Sequence, residues 1–222
     1  NVTIEVRSAE DKSERFPALA AELIALRVDL IVAESTPAAL AAKQATSTLP
    51  IVFAAAGDPV TSGLVASLAR PGGNVTGLSN LTPELVGKGL EQLKQAVPEV
   101  NHVAVLWQPG AVGERTERDM RAREETAARA LGLRLQTIET RGFKDFDRAF
   151  ADMTNARVGA LSVRPSPLFL IERRRLVDLV AKNRLPAVYA WREFVDVGGL
   201  LAYGPRLADL FRRTATYVDR FL

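Results

Sequence analysis

Short apolar runs alternate with amphipathic stretches along this chain. Their junctions are marked by a small polar or glycine residue followed by proline: Thr36-Pro37, Asp58-Pro59, Thr82-Pro83, Ser166-Pro167 and Gly204-Pro205. Proline fits the first position of a helix, and Ser, Thr, Asp and Gly are preferred just before it, so most of these pairs read as helix starts. In an alternating strand and helix chain, each such start follows the carboxyl end of a parallel strand, where open α/β sheets bind ligands. The expected fold class is therefore α/β, with a polar ligand cleft.

The strand candidates are Val2 to Val6, Leu30 to Ala33, Ile51 to Ala54, Val75 to Leu78, His102 to Trp107, Arg134 to Glu139, Ala160 to Val163, Ala187 to Tyr189 and Leu200 to Tyr203. Each is short and apolar, as expected of strands buried on both faces. Between them, apolar residues recur every three or four positions, as in Phe16, Leu19, Leu23 and Leu26 or Val86, Leu90, Leu93 and Val97, which places one apolar stripe on each helix. The alternation predicts parallel sheets joined by helical crossovers.

Two passages look like paired crossings between lobes. Val75-Thr76-Gly77-Leu78-Ser79-Asn80 leads into a helix that Pro98 breaks, and Gly198 to Gly204 leads into the helix opened by Pro205. The expected division is a first lobe of residues 1–82 plus 204–222 and a second of residues 83–203. Two Rossmann-like lobes with more than one crossing segment would hinge and close on a ligand.

At 222 residues, 47% hydrophobic and 25% charged, the chain can bury a full core. No apolar run approaches the roughly 20 residues of a membrane span, and Val2 to Val6 opens the chain where a signal core would otherwise stand. An export signal is accordingly expected to be absent from it. Zero cysteines exclude disulfides, thiol nucleophiles and thiolate metal sites. The single His102, which reads as a surface or edge residue, removes most histidine-based metal and proton-transfer chemistry. No metal and no cofactor is expected. The net charge of +3 comes from arginines interleaved with glutamates, as around Arg115 to Glu125, which reads as a solvated helix face and not as a nucleic-acid surface.

Several ordered runs carry a family likeness. They are Phe16-Pro17-Ala18-Leu19-Ala20-Ala21-Glu22-Leu23, Thr36-Pro37-Ala38-Ala39-Leu40-Ala41-Ala42-Lys43-Gln44-Ala45-Thr46, Pro50-Ile51-Val52-Phe53 with Gly57-Asp58-Pro59-Val60, Ala69-Arg70-Pro71-Gly72-Gly73-Asn74-Val75-Thr76-Gly77, and Leu185 to Tyr189 with Trp191-Arg192-Glu193-Phe194. Across nearly the whole chain the sequence resembles the ABC transporter substrate-binding proteins related to tryptophan- and tyrosine-binding lipoproteins. That resemblance implies the type I periplasmic binding fold, two lobes around a hinged cleft, an extracytoplasmic or periplasmic location and a membrane permease as partner. Set against that family, the chain is expected to lack a first strand and helix ahead of Val2 and further segments at its C-terminal end. The first lobe would then have two unpaired sheet edges, and a second copy would be able to pair with them as a homodimer.

The ligand candidates follow from strand ends. Ser35 and Thr36 stand where a strand meets a helix, and hydroxyls together with first-turn N–H groups suit a carboxylate; Thr36 alternatively caps its helix, and both roles are compatible. Ser79, just past a strand, is a similar candidate or shapes the crossover turn. Asp58 either accepts from a ligand ammonium or caps the turn before Pro59, and Glu193 is the second acidic candidate. Trp107, Tyr189, Trp191 and Tyr203 fall at or beyond strand ends, where rings sandwich an apolar ligand side chain. For Trp107 ordinary core packing is the competing reading. Gln108 and Ser166 stand at the lip of the second lobe. Arg164 either meets a carboxylate bidentately or forms an ion pair.

The function expected is binding of a small amphipathic carboxylate, an aromatic or branched-chain amino acid, without chemical change. An enzyme would need a nucleophile elbow, a phosphate loop or a serine with a usable histidine, and none is present. The alternative is the ligand-sensing domain of a regulator or receptor, which shares the architecture.

Overall fold

A computed structural model describes residues 2–10 and 12–221. The chain divides into two compact units: unit 1 holds residues 1–80 and 207–222, and unit 2 holds residues 81–206.

Unit 1 contains α1 (Phe16–Ala25), β1 (Ile31–Ala33), α2 (Thr36–Ala45), β2 (Ile51–Ala56), β3 (Val75–Ser79) and, from the far end of the chain, α8 (Leu207–Val218). Its three strands form a parallel sheet in the order β1-β2-β3. Helix α2 packs on β1 and β2, α1 packs on α2, and α8 packs on β2 and β3. The core is Ile31, Ile51, Phe53, Leu64 and Val75, with Ala39 and Ala42 letting α2 approach the sheet closely. Gly77 stands opposite Phe53 at φ +151°, and a Cβ there would lie 2.0 Å from the Phe53 carbonyl oxygen. Just beyond, the β2–β3 register slips between Phe53 and Ala56, so that Ala56 pairs with Ser79.

Unit 2 runs α3 (Thr82–Ala96), β4 (His102–Trp107), α4 (Glu114–Leu131), β5 (Arg134–Glu139), α5 (Phe146–Asn155), β6 (Ala160–Val163), α6 (Pro167–Ile171), α7 (Arg173–Lys182), β7 (Ala187–Tyr189) and β8 (Leu201–Ala202). Its parallel sheet has the order β5-β4-β6-β7-β8. From β4 the chain moves to one side for β5 and returns to the other for β6. The strand order therefore reverses between β4 and β6, the position at which open α/β sheets leave a crevice. Helices α3 and α4 pack together, and α3 also reaches β7. Leu90, Leu93, Val103, Ala160 and Val188 are buried between α3 and the sheet, and full burial of one such side chain contributes about 1.5–3 kcal/mol.

Two expectations need correction. Val2 to Val6 forms no strand: Val2, Ile4 and Val6 are 70%, 79% and 74% exposed, because no neighbouring strand among the described residues pairs with the segment. Asp58-Pro59 opens a turn, the second of the two readings given for Asp58, its carboxylate accepting from the N–H groups of Val60 and Thr61. Gly204-Pro205 does not open a helix, since Pro205 precedes α8 by two residues. Glycine is required at 204 for another reason, since a Cβ there would lie 2.0 Å from the Ala190 carbonyl oxygen.

His102 is not at the surface or an edge. It is 7% exposed at the start of the interior strand β4, with Nδ1 2.9 Å from Arg134 Nη2, at the end of the sheet away from Trp107 and Gln108.

Candidate functional site

In unit 1 the carboxyl ends of all three strands converge on Gly57. The Thr36 hydroxyl, buried at the first turn of α2, accepts the Gly57 N–H at 3.1 Å, so its role is to tie two loops together and not to cap its own helix. Ser79, after its pairing with Ala56, donates its hydroxyl to the Gly57 carbonyl at 3.4 Å. Ser35 is the residue that precedes α2, in extended conformation and with no side-chain capping bond. The first-turn N–H groups of any helix lack intrahelical partners, and the helix dipole makes such a tip favourable for an anion. Thr36 and Ser79 are thus brought together around one glycine, with Ser35 next to Thr36 in sequence. Asp58, next in sequence, is half-buried and spends its carboxylate oxygen Oδ1 on the turn described above.

In unit 2 the crevice between β4 and β6 is lined by the residues that follow those strands. Trp107 ends β4 and Gln108 follows it; Arg164 follows β6, its N–H donating to the Leu106 carbonyl at 3.0 Å. Ser166 is fully buried and caps α6, accepting the Phe169 N–H at 3.2 Å while its hydroxyl donates to Gln108 Oε1. The cap therefore fixes the Gln108 amide across the crevice.

Arg164 and Glu124 form a buried ion pair, 5% and 2% exposed. Arg164 Nε lies 3.0 and 3.1 Å from the two Glu124 oxygens and Nη2 contacts Oε2, while Nη1 is buried with no partner. Burial pushes the Glu124 carboxyl up, and the guanidinium pulls it back. Two turns earlier on α4, burial also pushes up Glu117, whose Oε1 is buried without a partner. The half-buried Trp107 ring has Arg164 Cζ 5.6 Å and Arg121 Cζ 5.9 Å from its centroid, distances suited to cation–π attraction.

A small cavity lies between the first half of α3 and the ends of β6 and β7. Leu85, Gly89, Arg164, Val188, Trp191 and Tyr203 contribute to its wall. Trp191 is 8% exposed and Tyr203 is 36% exposed. Tyr189, at the end of β7, is buried and stacked on Phe194 with centroids 4.7 Å apart, and its hydroxyl has no partner. Glu193 is half-buried, with Oε2 buried and unpartnered.

Sequence reasoning places Glu117 and Glu124 on a solvated helix face; the structure corrects this, since Glu124 is 2% exposed and Glu117 is half-buried. Thr116, Met120, Glu124 and Ala128 are buried at spacings of four along α4, so an inward stripe containing a glutamate was the available signal. Among the described residues no group of three or more metal-ligating side chains occurs, and no helix is long and apolar enough to cross a membrane.

Comparison with known proteins places this geometry in a family. The profile of the family described as ABC transporter substrate binding protein matches residues 1–222. A tyrosine-binding protein of Clostridioides difficile (strain R20291) is 35% identical over 119 residues, 54% of this chain and 34% of that protein; the match spans about a third of that relative's length. An ABC domain from Streptococcus pneumonia, solved in complex with L-Trp, aligns with TM-score 0.85 and 26% identity, covering 99% of this chain and 72% of that one. A conserved domain protein from Vibrio cholerae aligns with TM-score 0.88 and 25% identity over the same shares. The fold is that of type I periplasmic binding proteins.

Proposed function

The chain belongs to the ABC transporter substrate binding protein family, and on that premise we propose that it is the solute-recognition component of an importer, working outside the cytoplasm and delivering its cargo to a membrane permease. The cargo is a small amphipathic carboxylate, an aromatic or branched-chain amino acid, held without any chemical step. The tyrosine-binding relative and the relative solved with L-Trp support that class of solute.

The observation that carries the reading is the polar cluster at the crevice of the unit 2 sheet, where Gln108, Ser166 and Arg164 gather at the reversal of strand order. Such a crevice is where α/β sheets take ligands. In unit 1 the α2 tip with Ser35 and Thr36 supplies donors suited to a carboxylate. The two units act as the two lobes, and each offers polar groups from the carboxyl ends of its strands.

Isothermal titration of the chain against aromatic, aliphatic and acidic amino acids tests this. At least one aromatic or branched-chain member is expected to bind at micromolar or tighter affinity and to be recovered unchanged. Heat signals that stay flat across the whole panel would remove amino-acid uptake as the function.

A further inference from the structure

Arg164 is a buried guanidinium with one nitrogen left over. Its Nε and Nη2 are engaged by Glu124, which is 2% exposed, while Nη1 is buried with no partner. Leaving a buried donor unmade costs free energy, and more so when the group is charged. A fold that keeps Nη1 in this state is prepared for an acceptor to arrive. Arg164 also lines the cavity that Leu85 and Gly89 of α3 share with Val188 and Trp191.

Two properties of the surroundings define that acceptor. The cavity is partly open and measures about 30 Å³, room for one or two water-sized groups and so enough for an oxygen. The Arg164 charge is already met by Glu124, so the arriving group has no need to bring a charge of its own. A hydroxyl or carbonyl oxygen satisfies both conditions, whereas a second carboxylate would crowd Glu124, with Glu117 nearby on the same helix.

We propose that Arg164 Nη1 donates to a neutral oxygen at the end of the solute remote from its carboxylate, so that the Arg164–Glu124 pair selects oxygen-bearing solutes over their deoxy analogues. The inference rests on the reading above that the chain binds a small carboxylate. Arg164 makes the contact, and Glu124 is a positioning residue that holds the guanidinium by two of its nitrogens. The Trp107 ring beside Arg164 further restricts how the guanidinium can turn.

The test uses two pairs of probes that differ by one oxygen, L-tyrosine with L-phenylalanine and 4-hydroxybenzoate with benzoate, titrated calorimetrically into the chain. In at least one pair the hydroxylated member is expected to bind roughly 10- to 100-fold tighter, the range of one hydrogen bond to a charged donor. Removing one partner of a buried ion pair strands the other, whereas replacing both by apolar residues is often tolerated. The variant is therefore the double substitution Arg164→Met with Glu124→Leu, its folding checked by circular dichroism. It is expected to reduce the preference, read as the affinity ratio within each pair, to less than about threefold. A second variant, Glu124→Gln, retains the donor and loosens its hold, and is expected to shrink the preference partially. Equal affinity within both pairs for the unaltered chain, as for a cavity that holds only water, overturns the inference and leaves the binding function standing. A preference that survives the double substitution does the same. Failure of the unaltered chain to bind any of the four probes also overturns the inference, while the reading it rests on falls only if the wider amino-acid panel stays flat too.

Discussion

Tyr189 is 1% exposed, and its phenol is pushed up from the ordinary value of 10.0 by burial. The hydroxyl has no hydrogen-bond partner, and the ring earns its place by stacking on Phe194. Tyr189→Phe removes a buried polar atom that makes no bond, so at pH 7 the variant should match the parent or exceed it by up to about 1 kcal/mol in urea unfolding. A loss larger than that would show that the hydroxyl has a partner. The same group sets a pH dependence. Above pH 10 the unfolded chain releases this proton while the folded chain keeps it, so stability present below pH 10 is lost as the pH rises further. Tyr189→Phe should remove that part of the alkaline decline. At this scale the sequence was readable where a residue follows a strand end: Thr36 and Ser79 meet at Gly57, and Gln108 meets Ser166. It was opaque where one side chain has two plausible partners. Thr36 reads as a cap, but its hydroxyl serves the Gly57 N–H, a contact 21 residues away that spacing cannot reveal.

Among the elements, the β2–β3 pairing depends most on a single residue. Gly77 combines φ +151° with a Cβ position that would overlap the Phe53 carbonyl and ring. Gly77→Ala should therefore lower stability by at least about 2 kcal/mol, since backbone strain and overpacking each cost 1–3 kcal/mol. Urea denaturation would measure the loss, and a loss under about 0.5 kcal/mol, the range of an ordinary surface substitution, would show that the two strands separate easily here. Most elements were legible because apolar runs and helical spacing were strong, as in β4, whose observed bounds are those expected. The Val2 to Val6 expectation failed because alternation marks strand propensity, and a strand also needs a neighbour to bond. Glu124 reads as solvated because it stands in a run of arginines and glutamates, where charge suggests solvent and only the interval of four points inward.

For the molecule as a whole, a ligand that binds only the folded state must raise its stability. If L-tyrosine or L-tryptophan is a cargo, supplying it at 100 times its dissociation constant should add about 2.7 kcal/mol and shift the melting temperature upward with concentration. A melting temperature unchanged by either, with binding seen by calorimetry, would mean that the solute binds the unfolded chain as well. The α/β class and the parallel sheets could be read from alternation, and the family from ordered runs of residues. Strand order could not, because the return of β6 to the far side of β4 is settled by packing across the whole sheet. The two tryptophans of the chain, Trp107 and Trp191, both stand in unit 2, one beside two guanidiniums and the other against the α3 cavity. Light emitted on indole excitation therefore comes from that half alone, giving a built-in optical reporter that watches one unit while the other stays dark.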